Sequence, residues 1–278
     1  MPQPKRDPSP TLAWCRRSTP KGIEVMSVLE KFTLTGRVAV VTGASRGIGR
    51  AIAECYAAAG ADVVIASRKI EACQQAAKEI SASTGRRAVP MDCHVGHWDD
   101  CDRLIDNVLD TFGRLDILVN NAGMSPLYPN LMEVSEELYD KTLNVNLKGP
   151  FRLGVRAATH MAANNGGAII NVGTIGSLLA SPTELPYACA KAGLNALTVG
   201  LADAFAPDVR VNGILPGPVR TDVTRAWTTE QREGRGVPLG RLGEPDDIAA
   251  TALYLASPAA SFTTGAIVRV DGGVTRKV

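Results

Sequence analysis

Val38-Ala39-Val40-Val41-Thr42-Gly43-Ala44-Ser45-Arg46-Gly47-Ile48-Gly49 is the stretch that decides the fold. Its opening apolar run reads as a strand buried on both faces. Glycines at 43, 47 and 49 follow at once. Glycine permits a tight turn and lets the backbone approach a ligand closely. From Arg50 to Ala59 the pattern becomes helical. A helix that starts directly after such a turn offers N–H groups and the positive end of its dipole to a diphosphate. A glycine-rich segment alone is a weak signal. Its position between a first strand and a first helix makes it a strong one.

The same rhythm continues outward. Apolar runs recur at Val63 to Ile65, Ala88-Val89, Leu115 to Val119, Ala168 to Val172, Val209 to Ile214 and Ile267 to Val270. Helical patterns lie between them, over Ile70 to Ser83, Cys101 to Phe112, Leu147 to Ala163, Tyr187 to Phe205 and Asp247 to Ala256. Strand and helix in alternation predict an α/β fold, a doubly wound parallel sheet of about seven strands with helices on both faces. Crossovers are expected to be right-handed. No second core and no linker is evident, so residues 34–278 read as a single domain. Residues 1–33 carry early prolines (Pro2, Pro4, Pro8, Pro10) and no apolar periodicity, and are expected to be disordered.

The bulk numbers exclude some classes of function. Apolar residues make up 45% and charged residues 21%, enough for a sizeable core. The formal net charge of +2 is too balanced to point to nucleic acid. No apolar run reaches the roughly 18 residues of a membrane span. Six cysteines are scattered without a CxxC, which suggests reduced thiols and a cytoplasmic protein. The cluster Asp92-Cys93-His94-Val95-Gly96-His97, with Cys101 beyond, has ligand types suited to zinc. It also falls where the repeat turns from strand to helix, and that position favours a plain loop, with no metal site.

Tyr187-Ala-Cys-Ala-Lys191 places a phenol and an ammonium four residues apart in a run of helix formers. On a helix both side chains share one face. A free tyrosine has a pKa of about 10. A nearby positive charge favours the phenolate and lowers that value, so the pair is a candidate acid/base device. The bland alternative is an ordinary surface pair.

Taken together, these motifs resemble the short-chain dehydrogenase/reductase family, from about residue 34 to about residue 273. The glycines form TGxxxGxG, unlike the GxGxxG of the commoner dinucleotide fingerprint. Asn120-Asn121-Ala122-Gly123, Asn144-Val145-Asn146-Leu147, Tyr187-x-x-x-Lys191, Pro216-Gly217 and Asp271-Gly272-Gly273 follow in the family's order. The resemblance, which includes similarity to 3-oxoacyl carrier-protein reductase-like members, implies a nicotinamide dinucleotide on the glycine loop (Gly43, Ser45, Arg46, Gly47, Ile48, Gly49). It also implies contacts from Asp92, Asn120, Ala122, Gly123, Pro216, Gly217, Val219 and Thr221. Tyr187 would exchange a proton with the substrate oxygen, Lys191 would lower its pKa and hold the nicotinamide ribose, and Asn146 would hold a water behind Lys191. The family usually has a serine thirteen positions before the tyrosine. That position is Thr174 here, which keeps the hydroxyl and adds a methyl. Ser177 is the alternative source.

Ser67 stands where an acidic residue would accept the ribose 2′-hydroxyl of NAD, and Arg68 follows it. With Arg46, they predict a 2′-phosphate site and so NADP(H) in preference to NAD(H). The expected substrate is a ketone or secondary alcohol: 3-oxoacyl, sugar or small carbonyl. Its walls are expected from Met124 to Tyr128, Ser177 to Pro186 and a charged segment from Val219 to Val237, read as a lid and including Arg225, Trp227, Glu230 and Arg232. A non-catalytic NADP-binding protein on the same fold is the competing reading. An epimerase or dehydratase fits the loop less well. The resemblance also implies a homotetramer, or a dimer.

Overall fold

A computed structural model describes residues 27–222, 229 and 233–277. Seven parallel strands form one sheet in the order β3-β2-β1-β4-β5-β6-β7. They are β1 (Val38–Thr42), β2 (Asp62–Ser67), β3 (Ala88–Asp92), β4 (Ile117–Asn120), β5 (Gly167–Val172), β6 (Val209–Pro216) and β7 (Ile267–Val270). The helices are α1 (Gly47–Ala58), α2 (Ile70–Thr84), α3 (Trp98–Phe112), α4 (Glu136–Leu143), α5 (Gly149–Ala163), α6 (Leu185–Ala204) and α7 (Pro245–Ala256).

Strand alternation sorts the core into two halves. Ala39 and Val41 of β1 face a cluster with α1, α2 and α7, including Ile52, Ile80 and Leu255. Val38 and Val40 face the opposite cluster, with Leu104, Leu153 and Leu201 from α3, α5 and α6. Because β1 is buried along its whole length, it reads as an unbroken apolar run. The Tyr56 hydroxyl donates to the Ala252 carbonyl at 2.9 Å and ties α1 to α7. Glycines in the left-handed region, Gly85 and Gly113, end α2 and α3.

Strand order reverses between β1 and β4, which opens a crevice at their carboxyl ends. Thr42 closes the floor of that crevice. Its hydroxyl accepts from the N–H groups of Asn121 and Ala122 at 3.0 and 3.1 Å. Two features differ from the sequence reading. Helix α4 is additional, and Asn144–Lys148 between α4 and α5 is wound as a π-helix. Of the amino-terminal extension, residues 1–26 lie outside the described residues, and Glu30–Phe32 forms one turn of 3-10 helix.

Candidate active site

A cleft of about 510 Å3 lies over the carboxyl ends of the strands. Its walls include Gly43, Ser45, Arg46, Gly47, Ile48, Ser67, Arg68, Ala122, Gly123, Thr174, Tyr187, Lys191, Pro216, Gly217, Val219 and Thr221. The glycine loop is pressed onto the end of β4. A Cβ on Gly43 would meet Ala122 Cα at 2.9 Å. One on Gly49 would meet the Gly43 carbonyl oxygen at 2.6 Å and collide with the Asn121 amide. At Gly47, by contrast, φ is +58° and the nearest atom to an added Cβ is Thr221 Cγ2, 3.7 Å away. The loop is thus tight behind and open in front, and a side chain at Gly47 would enter the space a diphosphate needs. The residues present fit a dinucleotide.

Tyr187 and Lys191 lie in the first half of α6, on the face turned to β5. Lys191 is buried, and its Nζ donates to the Val172 carbonyl at 2.8 Å. It stands 5.9 Å from the centroid of the Tyr187 ring. Burial pushes the Lys191 ammonium down to about 8. Burial, together with the carboxylate of Glu184, pushes the Tyr187 phenol up to about 12, and a hydrogen bond with Thr174 opposes that rise. The sequence reading expected a lowered phenol. Desolvation of a half-enclosed ring outweighs the lysine here, and the lysine itself is poorly solvated.

Thr174 caps the turn after β5, and its hydroxyl accepts from Gly176 N–H at 3.2 Å. Its proton remains available to Tyr187. The Ser177 hydroxyl instead donates to the Thr174 carbonyl at 2.7 Å and accepts from the Asn195 amide at 3.0 Å. Thr174 lines the cleft, whereas Ser177 braces the turn that carries it.

Asn146 is buried in the π-helix. Its amide donates to the carbonyls of Met124 and Thr142 at 2.8 and 2.9 Å, and its oxygen accepts from Met124 N–H at 3.2 Å. The side chain therefore clamps the loop after β4, with both amide hydrogens engaged. Asn120 is also below the surface of the cleft. It donates to Asn171 at 2.9 Å, and Asn171 donates to Thr198 at 2.9 Å, which ties β4 to β5 and α6.

Asp92 and Asn120, expected as dinucleotide contacts, are not among the residues that line the cleft. The exposed Asp92 points toward Arg103 at 3.4 Å, while Cys93, His94 and Val95 line the cleft beside it. Arg46 pairs with Asp222 at 2.9 Å across the mouth. Arg68 is exposed at the end of β2, and Ser67 Oγ lies 3.4 Å from Ser45 Oγ. Among the described residues no group of three or more His, Cys, Asp or Glu side chains is arranged to hold a metal. His94 and His97 stack at 4.1 Å. Residues 223–228 and 230–232 of the segment read as a lid, with Arg225, Trp227, Glu230 and Arg232, lie outside the described residues. Sequence reasoning missed His94 as a wall residue, and it held Asn121 only as part of its motif and Glu184 only within the wall expected from Ser177 to Pro186. Only Glu184 carried a usable signal, as an acid three positions before the tyrosine on a helix start.

A family model described as enoyl-(acyl carrier protein) reductase matches residues 43–275. The chain belongs to the short-chain dehydrogenase/reductase family. It is 37% identical over 251 residues to the Caenorhabditis elegans dehydrogenase/reductase SDR family member 4, covering 87% of this chain and 96% of that one. It is 38% identical over 244 residues to the 3-oxoacyl-[acyl-carrier-protein] reductase FabG of Chlamydia trachomatis, covering 87% and 98%. A gluconate 5-dehydrogenase from Burkholderia cenocepacia, solved in complex with NADP and tartrate, superimposes with a TM-score of 0.85 at 35% identity, covering 91% of this chain and 100% of that one. Such a short-chain dehydrogenase/reductase acts on carbonyl and alcohol substrates with a nicotinamide cofactor. No helix among the described residues is long and apolar enough to cross a membrane.

Proposed function

We propose that this chain is an NADP(H)-dependent reductase of ketones, reversible as an alcohol dehydrogenase, with Tyr187 as its acid/base. The observation that carries this reading is the convergence of Tyr187, Thr174 and Lys191 in the cleft that also holds the glycine loop. The nicotinamide, when bound, supplies or accepts the hydride. The loop Gly43–Gly49 and the first turn of α1 would hold its diphosphate. Ser67 and Arg68 would hold a 2′-phosphate, and Arg46 would join them by leaving Asp222. Neither Ser67 nor its chain neighbours Ala66 and Arg68 carry a carboxylate, and Asp92, opposite Ser67 on β3, is turned to Arg103. The bound NADP of the Burkholderia relative supports the same choice.

The protein's own part is proton transfer and positioning. A phenol held near 12 keeps its proton at neutral pH, so Tyr187 is poised to donate to the oxygen that gains negative charge during reduction. Thr174 would donate a hydrogen bond to the same oxygen. Lys191 carries its charge below about pH 8 and would stabilise the phenolate left behind. Asn146 acts one step back, by holding the loop at Gly123 and Met124 against the reaction centre. A Cβ on Gly123 would lie 2.9 Å from Asn146 Oδ1 and 3.7 Å from Lys191 Nζ.

Steady-state rates with NADPH and NADH over 3-oxoacyl, sugar and small cyclic ketones test the reading. NADPH is expected to give the higher kcat/KM, and Arg68→Ala to narrow the gap about tenfold or more, as loss of a charged hydrogen bond does. Better use of NADH would overturn the cofactor assignment. Tight NADPH binding with no turnover on any ketone would favour a non-catalytic dinucleotide-binding protein.

A further inference from the structure

Glu184 stands out among the enclosed carboxylates. Asp62, Asp102 and Asp116 are matched by Arg86 at 2.7 Å, Arg152 at 2.6 Å and Arg114 at 2.6 Å. Glu184 is half-buried and lines the cleft, yet among the described residues no lysine or arginine pairs with it. Ser125, which also lines the cleft, is the hydroxyl that opposes the rise in its pKa. A carboxylate drawn from water without a cation is unfavourable, and proteins usually match it.

Its position is also constrained. Glu184 is the residue before α6, and Tyr187 lies three residues on, in the first turn of that helix. The carboxylate packs over the turn that carries Thr174: a Cβ on Gly176 would lie 2.9 Å from Glu184 Oε1. The acid thus lies beside the turn that carries Thr174, in the cleft that Tyr187 also lines. Its charge acts on Tyr187, and burial raises its own pKa. A cation seated beside it would relieve both effects.

We propose that Glu184 selects ketones that carry an ammonium group, binding the cation beside the carbonyl that Tyr187 addresses. This rests on the ketone-reductase reading above. It goes further by naming the substrate class: compact amino ketones. Ser125 would orient the carboxylate, and the cation would sit between the Met124–Ser125 wall and the start of α6.

Two ketones of the same shape test it. N,N-dimethyl-4-oxopiperidinium is a permanent cation, and 4,4-dimethylcyclohexanone replaces its nitrogen by carbon. The wild type is expected to favour the cation at least tenfold in kcat/KM with NADPH, and Glu184→Gln to cut that ratio tenfold or more. Quenching of protein fluorescence by NADPH shows that the variant is folded. A ratio near one in the wild type, or one unchanged in Glu184→Gln, overturns the proposal while the reductase reading stands. Reduction of neither ketone, while others of the 3-oxoacyl, sugar and cyclic panel are turned over, overturns the amino-ketone proposal alone.

Discussion

Thr174 stands where the family usually places serine, and its hydroxyl remains within hydrogen-bond reach of Tyr187. Tyr187→Phe is therefore expected to lower kcat about a thousandfold or more while NADPH still binds, since it removes the proton donor. Thr174→Ala is expected to cost about a hundredfold and Thr174→Ser little, as befits one lost oxygen-stabilising donor. Greater damage from Ser177→Ala than from Thr174→Ala, in the same kinetics, would reverse the assignment. Lys191 allows a test by pH. Its folded pKa of about 8 lies below the ordinary 10.5, so between these values the unfolded chain binds more protons. Stability attributable to Lys191 must then rise with pH in that window. Relative to Lys191→Met, the wild type is expected to gain about 1–2 kcal/mol between pH 8 and 9.5, read by urea unfolding. A flat difference would mean that Lys191 is better solvated than its burial indicates. The pairing of Tyr187 with Lys191 was legible because spacing alone puts them on one face. The direction of their pKa shifts was not, because it depends on how much chain closes over them.

At the level of elements, the glycine loop was legible and its internal division of labour was not. Gly49 lacks room for a Cβ because Asn121 and the Gly43 carbonyl occupy the space, whereas Gly47 faces the open cleft. Gly49→Ala is expected to destabilise the domain by about 1–3 kcal/mol, in the range of overpacked sites. Gly47→Ala is expected to cost about 1 kcal/mol for its left-handed φ, yet to weaken NADPH binding at least tenfold. Thermal unfolding and NADPH titration of both variants check the contrast. Equal loss of affinity without loss of stability in Gly49→Ala would refute the packing argument. Helix α4 escaped the sequence reading because it buries only Thr142, so it has no apolar stripe. The π-helix escaped for a related reason. An asparagine inside a helix signals a bend or a polar partner, but only the fold shows that the partner is the Met124 backbone.

Across the whole molecule, the parallel sheet follows from the alternation of apolar runs and helices, but the outer surface does not. That surface carries large apolar groups in the open. Trp98 on α3 and Phe151 on α5 are more than a third exposed, with their rings 6.2 Å apart, and Arg152 lies 4.6 Å over the Trp98 ring. Far along the chain, Phe262 is fully exposed in the loop before β7. Strand β7 is also a sheet edge, with Ile267, Val268 and Val270 only half-covered. An uncovered apolar edge invites pairing with another chain. Two separate apolar faces, each closing by a two-fold axis, build a tetramer. Light scattering on the eluting protein is expected to give about four times 29.3 kDa. Phe151→Glu and Phe262→Glu are each expected to halve that mass by breaking one face, and the double variant to leave single chains. A wild-type mass of 29.3 kDa would show that these faces stay solvated. Loss of the whole assembly from either single change would show that both residues serve one interface.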